Sequence, residues 1–215
     1  MKILFSYLLF SLWLFHPAGS VPSELDQIIN GLQGKYQRMN TLTAEFTQIY
    51  NAPGERTRRE SGQLQLKKPG KMRWDYTTPE AKLYVSDGKV IYEYLPAERT
   101  ATRASAKQTD DWRAPFMFLL GRGNLRRDFA RIEFASEAPV RAGNRVLRMI
   151  PKRSSDLREL LIEVEPNSLR LTRLSLLKSG NARIDFLLNN VQENNVMADA
   201  VFVFHPAAGV AVRQQ

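Results

Sequence analysis

Few residues in this 215-residue chain are of types that do chemistry. Cysteine is absent and histidine occurs twice, as His16 and His205. Zinc sites draw on several Cys or His ligands, so one histidine in the processed chain cannot supply the usual sets. His205 sits in "FHP", at a predicted strand end. A serine triad built on it would need a presented serine, and no G-x-S-x-G elbow occurs. Asp110 and Asp111 are adjacent acids at the start of an apolar segment, where carboxylates complement a helix N-terminus. "GRGN" at Gly121 lacks the preceding strand and following helix of a phosphate loop, so it reads as a helix stop. "SDGK" lies between two alternating strands, and its Asp87-Gly88 pair reads as a type I′ hairpin turn. This inventory supplies no zinc ligand set, no thiol chemistry, no serine triad and no phosphate loop.

What remains is apolar surface with no reactive group beside it. In "KMRWDY", Met72, Trp74 and Tyr76 alternate with Lys71, Arg73 and Asp75, the period of a strand with one dry and one wet face. Carried through the next two strands, this parity groups Met72, Trp74, Tyr76, Leu83, Val85, Tyr92 and Tyr94 on one face. Arg73, Lys82, Tyr84 and Glu93 fall on the other. A packed core and a cavity for an apolar ligand both fit the pattern, and the excess of large aromatics points to the cavity.

The elements that must hold this face follow from periodicity. Leu25, Ile28, Ile29, Leu32, Tyr36 and Met39 keep helical spacing behind an N-cap at Ser23, so one helix with an apolar stripe opens the domain. Gly31 and Gly34 each lower its intrinsic helicity by about 1 kcal/mol against alanine, so tertiary packing must hold it. From "LTAEFTQIY" at Leu42 to "RIDFLLNN" at Arg183, and again in "AVFVF", around ten short strands are joined mostly by hairpin-length turns. That is an antiparallel meander, without the strand–helix alternation of a parallel fold. "DDWRAPFMFLLGRGN" interrupts it as a short apolar helix, and "ERTATRASAKQTDD" before it reads as a polar loop. The expectation is one mostly β domain: a single curved antiparallel sheet forming an incomplete barrel, covered by a helical lid.

Met1 to Ser20 have the cationic start, apolar run and small-residue end of a secretory signal peptide, leaving roughly 195 residues (21–215) for a single exported domain. Net charge is +9, with basic residues scattered in small clusters such as Arg56, Arg58 and Arg59. In an exported protein such charge meets anionic membrane surfaces and acidic proteins rather than nucleic acid.

Five stretches, in order, resemble the LolA family of periplasmic lipoprotein carriers: "LTAEFTQ", "SGQLQLKKPGKMRWDYTTP", "YVSDGKVIYEYLP", "APFMFLLGRGN" and "FVFHPAAGVAV". The resemblance implies an incomplete barrel of about eleven strands, a helical lid and a hydrophobic cavity for the acyl chains of a lipoprotein. An inner-membrane ABC transporter would load this carrier, and the lipid-anchored outer-membrane receptor LolB, which shares the fold, would unload it. A monomer in the periplasm is expected. The lining would be Met72, Trp74, Tyr76, Leu83, Val85, Tyr92 and Tyr94, with Phe116, Phe118 and Leu119 covering it from the lid. Where well-known members have an arginine latch before the proline ending the second strand, this chain has Lys68, which keeps the charge but not the planar fork of donors. A carrier of another amphiphile (a glycolipid or polyprenoid) and a hydrolase of envelope polymers are the alternatives.

Overall fold

The computed structural model describes residues 22–106, 116, 123–153 and 156–214. Helix α1 runs Glu24–Arg38. Its N-cap is Ser23, whose Oγ accepts from the Asp26 N–H at 3.1 Å and donates to Asp26 Oδ2 at 2.7 Å. Ile28, Ile29, Leu32 and Tyr36 form its buried stripe, each contributing about 1.5–3 kcal/mol by leaving water. The Leu169 side chain lies over Gly31, where a Cβ would collide with Leu169 Cδ1. The glycine that weakens the helix locally is what lets it sit down on the turn beneath.

Among the described residues, twelve strands follow in one sheet. They are β1 (Thr41–Asn51), β2 (Arg58–Lys67), β3 (Lys71–Thr78), β4 (Lys82–Ser86), β5 (Val90–Leu95), β6 (Thr100–Ser105), β7 (Phe129–Phe134), β8 (Arg145–Pro151), β9 (Leu157–Val164), β10 (Leu171–Lys178), β11 (Arg183–Glu193) and β12 (Ala211–Gln214). Their order is β12-β6-β5-β4-β3-β2-β1-β11-β10-β9-β8-β7, so β1 pairs with β11 at the middle and β12 and β7 are left as edges. All neighbours are antiparallel except β12, which runs parallel to β6. This is the unclosed curved sheet the sequence suggested, with one strand more than expected.

Three segments differ from the expectation. Thr100–Ser105, read as loop, is β6; Ala101 is its only buried residue, so it has no apolar alternation, and pairing to β5 and β12 holds it. "AVFVF", read as a strand, contributes to a 3₁₀ turn at Asp199–Phe202 that buries Phe202. The Asp87-Gly88 turn is not type I′, because only Gly88 takes positive φ (+92°). Asp87 instead accepts from the N–H groups of Lys89 and Val90 through Oδ1.

The core lies between α1 and one face of the sheet, called here the inner face. Leu42, Ala44 and Phe46 of β1, Leu64 and Leu66 of β2, and Ile184, Phe186 and Leu188 of β11 all point to it.

Candidate functional site

Trp74, fully buried (0% exposed), is the centre of the inner face. Its ring meets three others edge-on: Phe46 at 4.9 Å between centroids, Phe116 at 4.7 Å and Phe186 at 5.5 Å. Phe116 also meets Phe186 at 5.1 Å, so this phenylalanine fills the space between β3 and β11. Gly62 lies in register between Phe46 and Tyr76, and the two rings close over it at 4.9 Å. Edge-to-face pairs like these add about 0.5–1.5 kcal/mol each beyond area burial.

The apolar surface ends at a polar cluster that sequence reading did not find. The Tyr76 hydroxyl donates to Gln48 Oε1 at 2.8 Å, Gln48 Nε2 donates to Glu60 Oε2 at 3.2 Å, and Lys82 Nζ pairs with Glu60 Oε1 at 2.6 Å. Lys82 also stands 4.2 Å over the Tyr76 ring. The available signal was Gln48 itself, a polar residue at the inner parity of a strand that otherwise reads Leu42, Ala44, Phe46, Tyr50.

The register divides the expected lining in two. Tyr76 pairs with Lys82, Trp74 with Tyr84 and Met72 with Ser86, which places Met72, Trp74, Tyr76 and Tyr84 together on the inner face. Leu83 pairs with Tyr94 and Val85 with Tyr92, so these four share the outer face with Arg73 and Asp75. The grouping read from parity is therefore corrected at Leu83, Val85, Tyr92 and Tyr94, which lie on the outer face, and at Lys82, Tyr84 and Glu93, which lie on the inner one. Five residues, Thr77 to Ala81, join the paired Tyr76 and Lys82, and an odd connection carries even-numbered positions over to even-numbered positions. The outer face is apolar here because it too is covered: Phe204 stacks on Tyr92 at 5.0 Å and on Tyr94 at 5.3 Å. Phe118 and Leu119 lie outside the described residues.

Comparison with known proteins decides the kinship. The profile of the family described as "Outer membrane lipoprotein carrier protein LolA" matches residues 37–205. The chain belongs to the LolA family. An outer-membrane lipoprotein carrier protein from Bordetella avium is 30% identical over 176 residues, 81% of each chain. One from Pectobacterium atrosepticum is 27% identical over 186 residues, 86% of each. An uncharacterized conserved protein from Thermus thermophilus has the same fold, with a TM-score of 0.55 at 13% identity over 88% of this chain and 98% of its own.

At the end of β2, Lys68 Nζ donates to the carbonyl oxygens of Tyr36 at 2.8 Å and Gln37 at 2.6 Å, in the last turn of α1. A cation there faces the negative end of the helix dipole and its otherwise unpaired carbonyls. Burial lowers the Lys68 pKa below the usual lysine value. Other ties hold α1 along its length. Leu171 N–H donates to the Tyr36 hydroxyl at 3.0 Å, and burial raises the pKa of that hydroxyl. Gln33 Nε2 donates to Gly123 O at 3.2 Å while its Oε1 accepts from Leu125 N–H at 2.8 Å. Gln33 thus joins α1 to the start of α2 (Leu125–Asp128), where Arg126 pairs with Asp26 at 2.5 Å. The Lys68, Gln33 and Arg126 ties sit at the rim, the Tyr36–Leu171 bond is buried, and the rest of the interface beneath is oily.

Proposed function

We propose that this chain is a periplasmic carrier that takes the acyl chains of lipoproteins between its inner sheet face and α1. The supporting observation is the uncharged aromatic surface around Trp74, filled by Phe116 from a different part of the chain. Met72, Trp74, Tyr76 and Tyr84 supply the sheet wall, Phe116 is the group an acyl chain displaces, and Lys68 is the latch at the rim. Leu83, Val85, Tyr92 and Tyr94 take no part in binding.

A sixteen-carbon chain gains on the order of 10 kcal/mol on leaving water, at about 0.8 kcal/mol per methylene. Expelling Phe116 forfeits about 1.5–3 kcal/mol of that. Bilayer insertion gives the full gain, so the carrier binds less tightly than a membrane does. Loading therefore needs an energised partner, the inner-membrane ABC transporter, and unloading runs downhill to an outer-membrane receptor such as LolB. The Lys68 bonds to α1 add about 1–3 kcal/mol to the cost of opening, on top of the apolar contact beneath the helix. The reading is non-enzymatic: Glu60, on the inner face, is spent on Lys82 and Gln48.

The test is fluorescence of a variant in which Trp74 is the sole tryptophan of the mature chain (Trp112→Phe). A lipopeptide brominated along its acyl chains should quench Trp74 saturably, and the same peptide without acyl chains should not. Absence of quenching at saturating lipopeptide contradicts the proposal. Mass spectrometry of lipid co-purified from the periplasm distinguishes lipoprotein from other amphiphiles.

A further inference from the structure

The inner face has unlike ends. At one end Lys68 grips the last turn of α1, and Tyr36, Met39 and Ser86 are buried. At the other end the strands run out into exposed residues, 53–57 between β1 and β2 and 77–81 between β3 and β4. Along β2 the inner positions pass from Leu66 and Leu64, both fully buried, through Gly62 to Glu60 and then Arg58. Along β1 they pass from Phe46 through Gln48 to Tyr50. Oil gives way to polar groups in one band, formed by Gln48, Glu60, Tyr76 and Lys82. Leu66 to Glu60 spans about 20 Å at about 3.3 Å per residue, and one bilayer leaflet gives its acyl chains a depth of about 15 Å. A chain whose tail rests toward the Lys68 end therefore brings its carbonyl end to this band.

Burying an amide such as that of Gln48, 8% exposed, at the edge of an apolar wall is costly unless its groups are bonded. Among the described residues they are bonded only in part. Gln48 Oε1 accepts from the Tyr76 hydroxyl and one Nε2 proton goes to Glu60 Oε2, which leaves the second. Lys82 gives one of its three ammonium protons to Glu60 Oε1 at 2.6 Å. The Lys82 side chain is 25% exposed, so its ammonium is reachable from the open end, and the Tyr76 ring 4.2 Å away holds it at the boundary between oil and water. Arg58 stands in the same way 4.2 Å from the Tyr50 ring, one row further out. Glu60 balances the Lys82 charge, so the band favours a neutral acceptor over an anion. An acyl chain carries one by definition: the carbonyl of its ester or amide, which leaves water as the chain enters and then needs a donor.

We propose that Lys82 and Gln48 donate to the carbonyls of the cargo's acyl linkages, so that the tails lie toward the Lys68 end and the peptide leaves between residues 53–57 and 77–81. This rests on the carrier reading above, and adds to it the orientation of the cargo and the groups that recognise it.

Two lipopeptides that differ only in linkage test it: one has brominated sixteen-carbon chains joined as esters, the other the same chains joined as ethers, which lack the carbonyl. Quenching of Trp74 in the Trp112→Phe chain gives both affinities. The ester form should bind about tenfold tighter, the worth of one hydrogen bond from a charged donor. In Lys82→Met combined with Glu60→Gln, which leaves no carboxylate unpaired, that ratio should fall to about one. Lost stability would weaken both forms alike and leave the ratio where it was. A photoreactive group on the first residue of the peptide should label residues 53–57 or 77–81. Equal affinities in the parent, a preference for the ester that survives in the double variant, or labelling of residues 68–70 in place of those connections overturns the proposal and leaves the carrier reading standing. Quenching by neither form overturns both.

Discussion

The two faces of strands β3 to β5 are both covered, and the covers are fastened in opposite ways. On the inner face α1 and Phe116 share one apolar core with Met72, Trp74, Tyr76 and Tyr84, and at the rim Lys68 holds the end of α1. On the outer face the chain after β11 crosses the same strands and is pinned at intervals by charge. Asp199 bridges Lys67 and Lys71 at 2.7 Å each, Arg73 Nη1 donates to Val201 O at 3.1 Å, and β12 then joins the sheet beside β6. An apolar interface latched at its edge can be replaced by another apolar body. A strap held by ion pairs and strand pairing has no such substitute. On the proposed carrier reading, the inner face is the one that opens and the outer face is its fixed backing.

Substitutions that strip one face at a time should break this contrast if it is wrong. The largest effect is expected from Trp74→Ala, which leaves a cavity among three rings and should cost about 3–5 kcal/mol in urea unfolding along with loss of lipopeptide binding. Next is an acid test of the outer straps. The Arg183 guanidinium, working against burial and helped by Arg173, holds Glu137 of the β7–β8 connection down to about 2, and Lys67 and Lys71 do the same for Asp199. Both folded values lie below the ordinary carboxylate range, so their stabilisation is complete above about pH 4.5 and disappears as pH falls toward 2. Glu137→Gln should therefore unfold at lower urea than the parent at pH 7, and that gap should shrink at pH 3. A gap independent of pH would remove the ionic account of the strap.

Smaller effects sharpen the contrast. The Tyr92–Phe204 ring pair should show a coupling of about 0.5–1.5 kcal/mol in a double-mutant cycle, with lipopeptide affinity the same in Tyr92→Ala as in the parent. Least of all, Lys68→Leu should change stability by about 1–2 kcal/mol while speeding release to a receptor more than it alters loading. Lys68→Arg should restore the parent rates. Equal transfer kinetics in all three forms would show that the α1 carbonyls need no latch.

Much of this architecture was legible before any coordinates. Ser23 and the Leu25-to-Met39 spacing specify α1, because a cap and a stripe are local signals. The long strands of β1 to β3 and β8 to β11 announce themselves by alternation and by the turns between them. Which face is which was not legible at Leu83, Val85, Tyr92 and Tyr94. Alternation says which residues share a side within a strand, but the side carried across a connection depends on the register, and both sides here are apolar. Phe204, which makes the outer side dry, arrives from over a hundred residues away. The Gln48–Glu60–Lys82 cluster was hidden for the same reason, since a polar residue on a strand looks solvated until its distant partner is in place. β6 was missed because it is held by its neighbours' backbones rather than by its own side chains.

The central claim is that acyl chains enter the inner face and never touch the outer one. A photo-crosslinking residue placed at Met72, on the inner wall, and separately at Tyr94, on the outer, reads this directly when each protein is irradiated with a radiolabelled acylated lipopeptide. The account predicts strong labelling at position 72 that excess unlabelled lipopeptide suppresses, and background labelling at 94. Comparable labelling at both positions, or labelling at 94 alone, would contradict it.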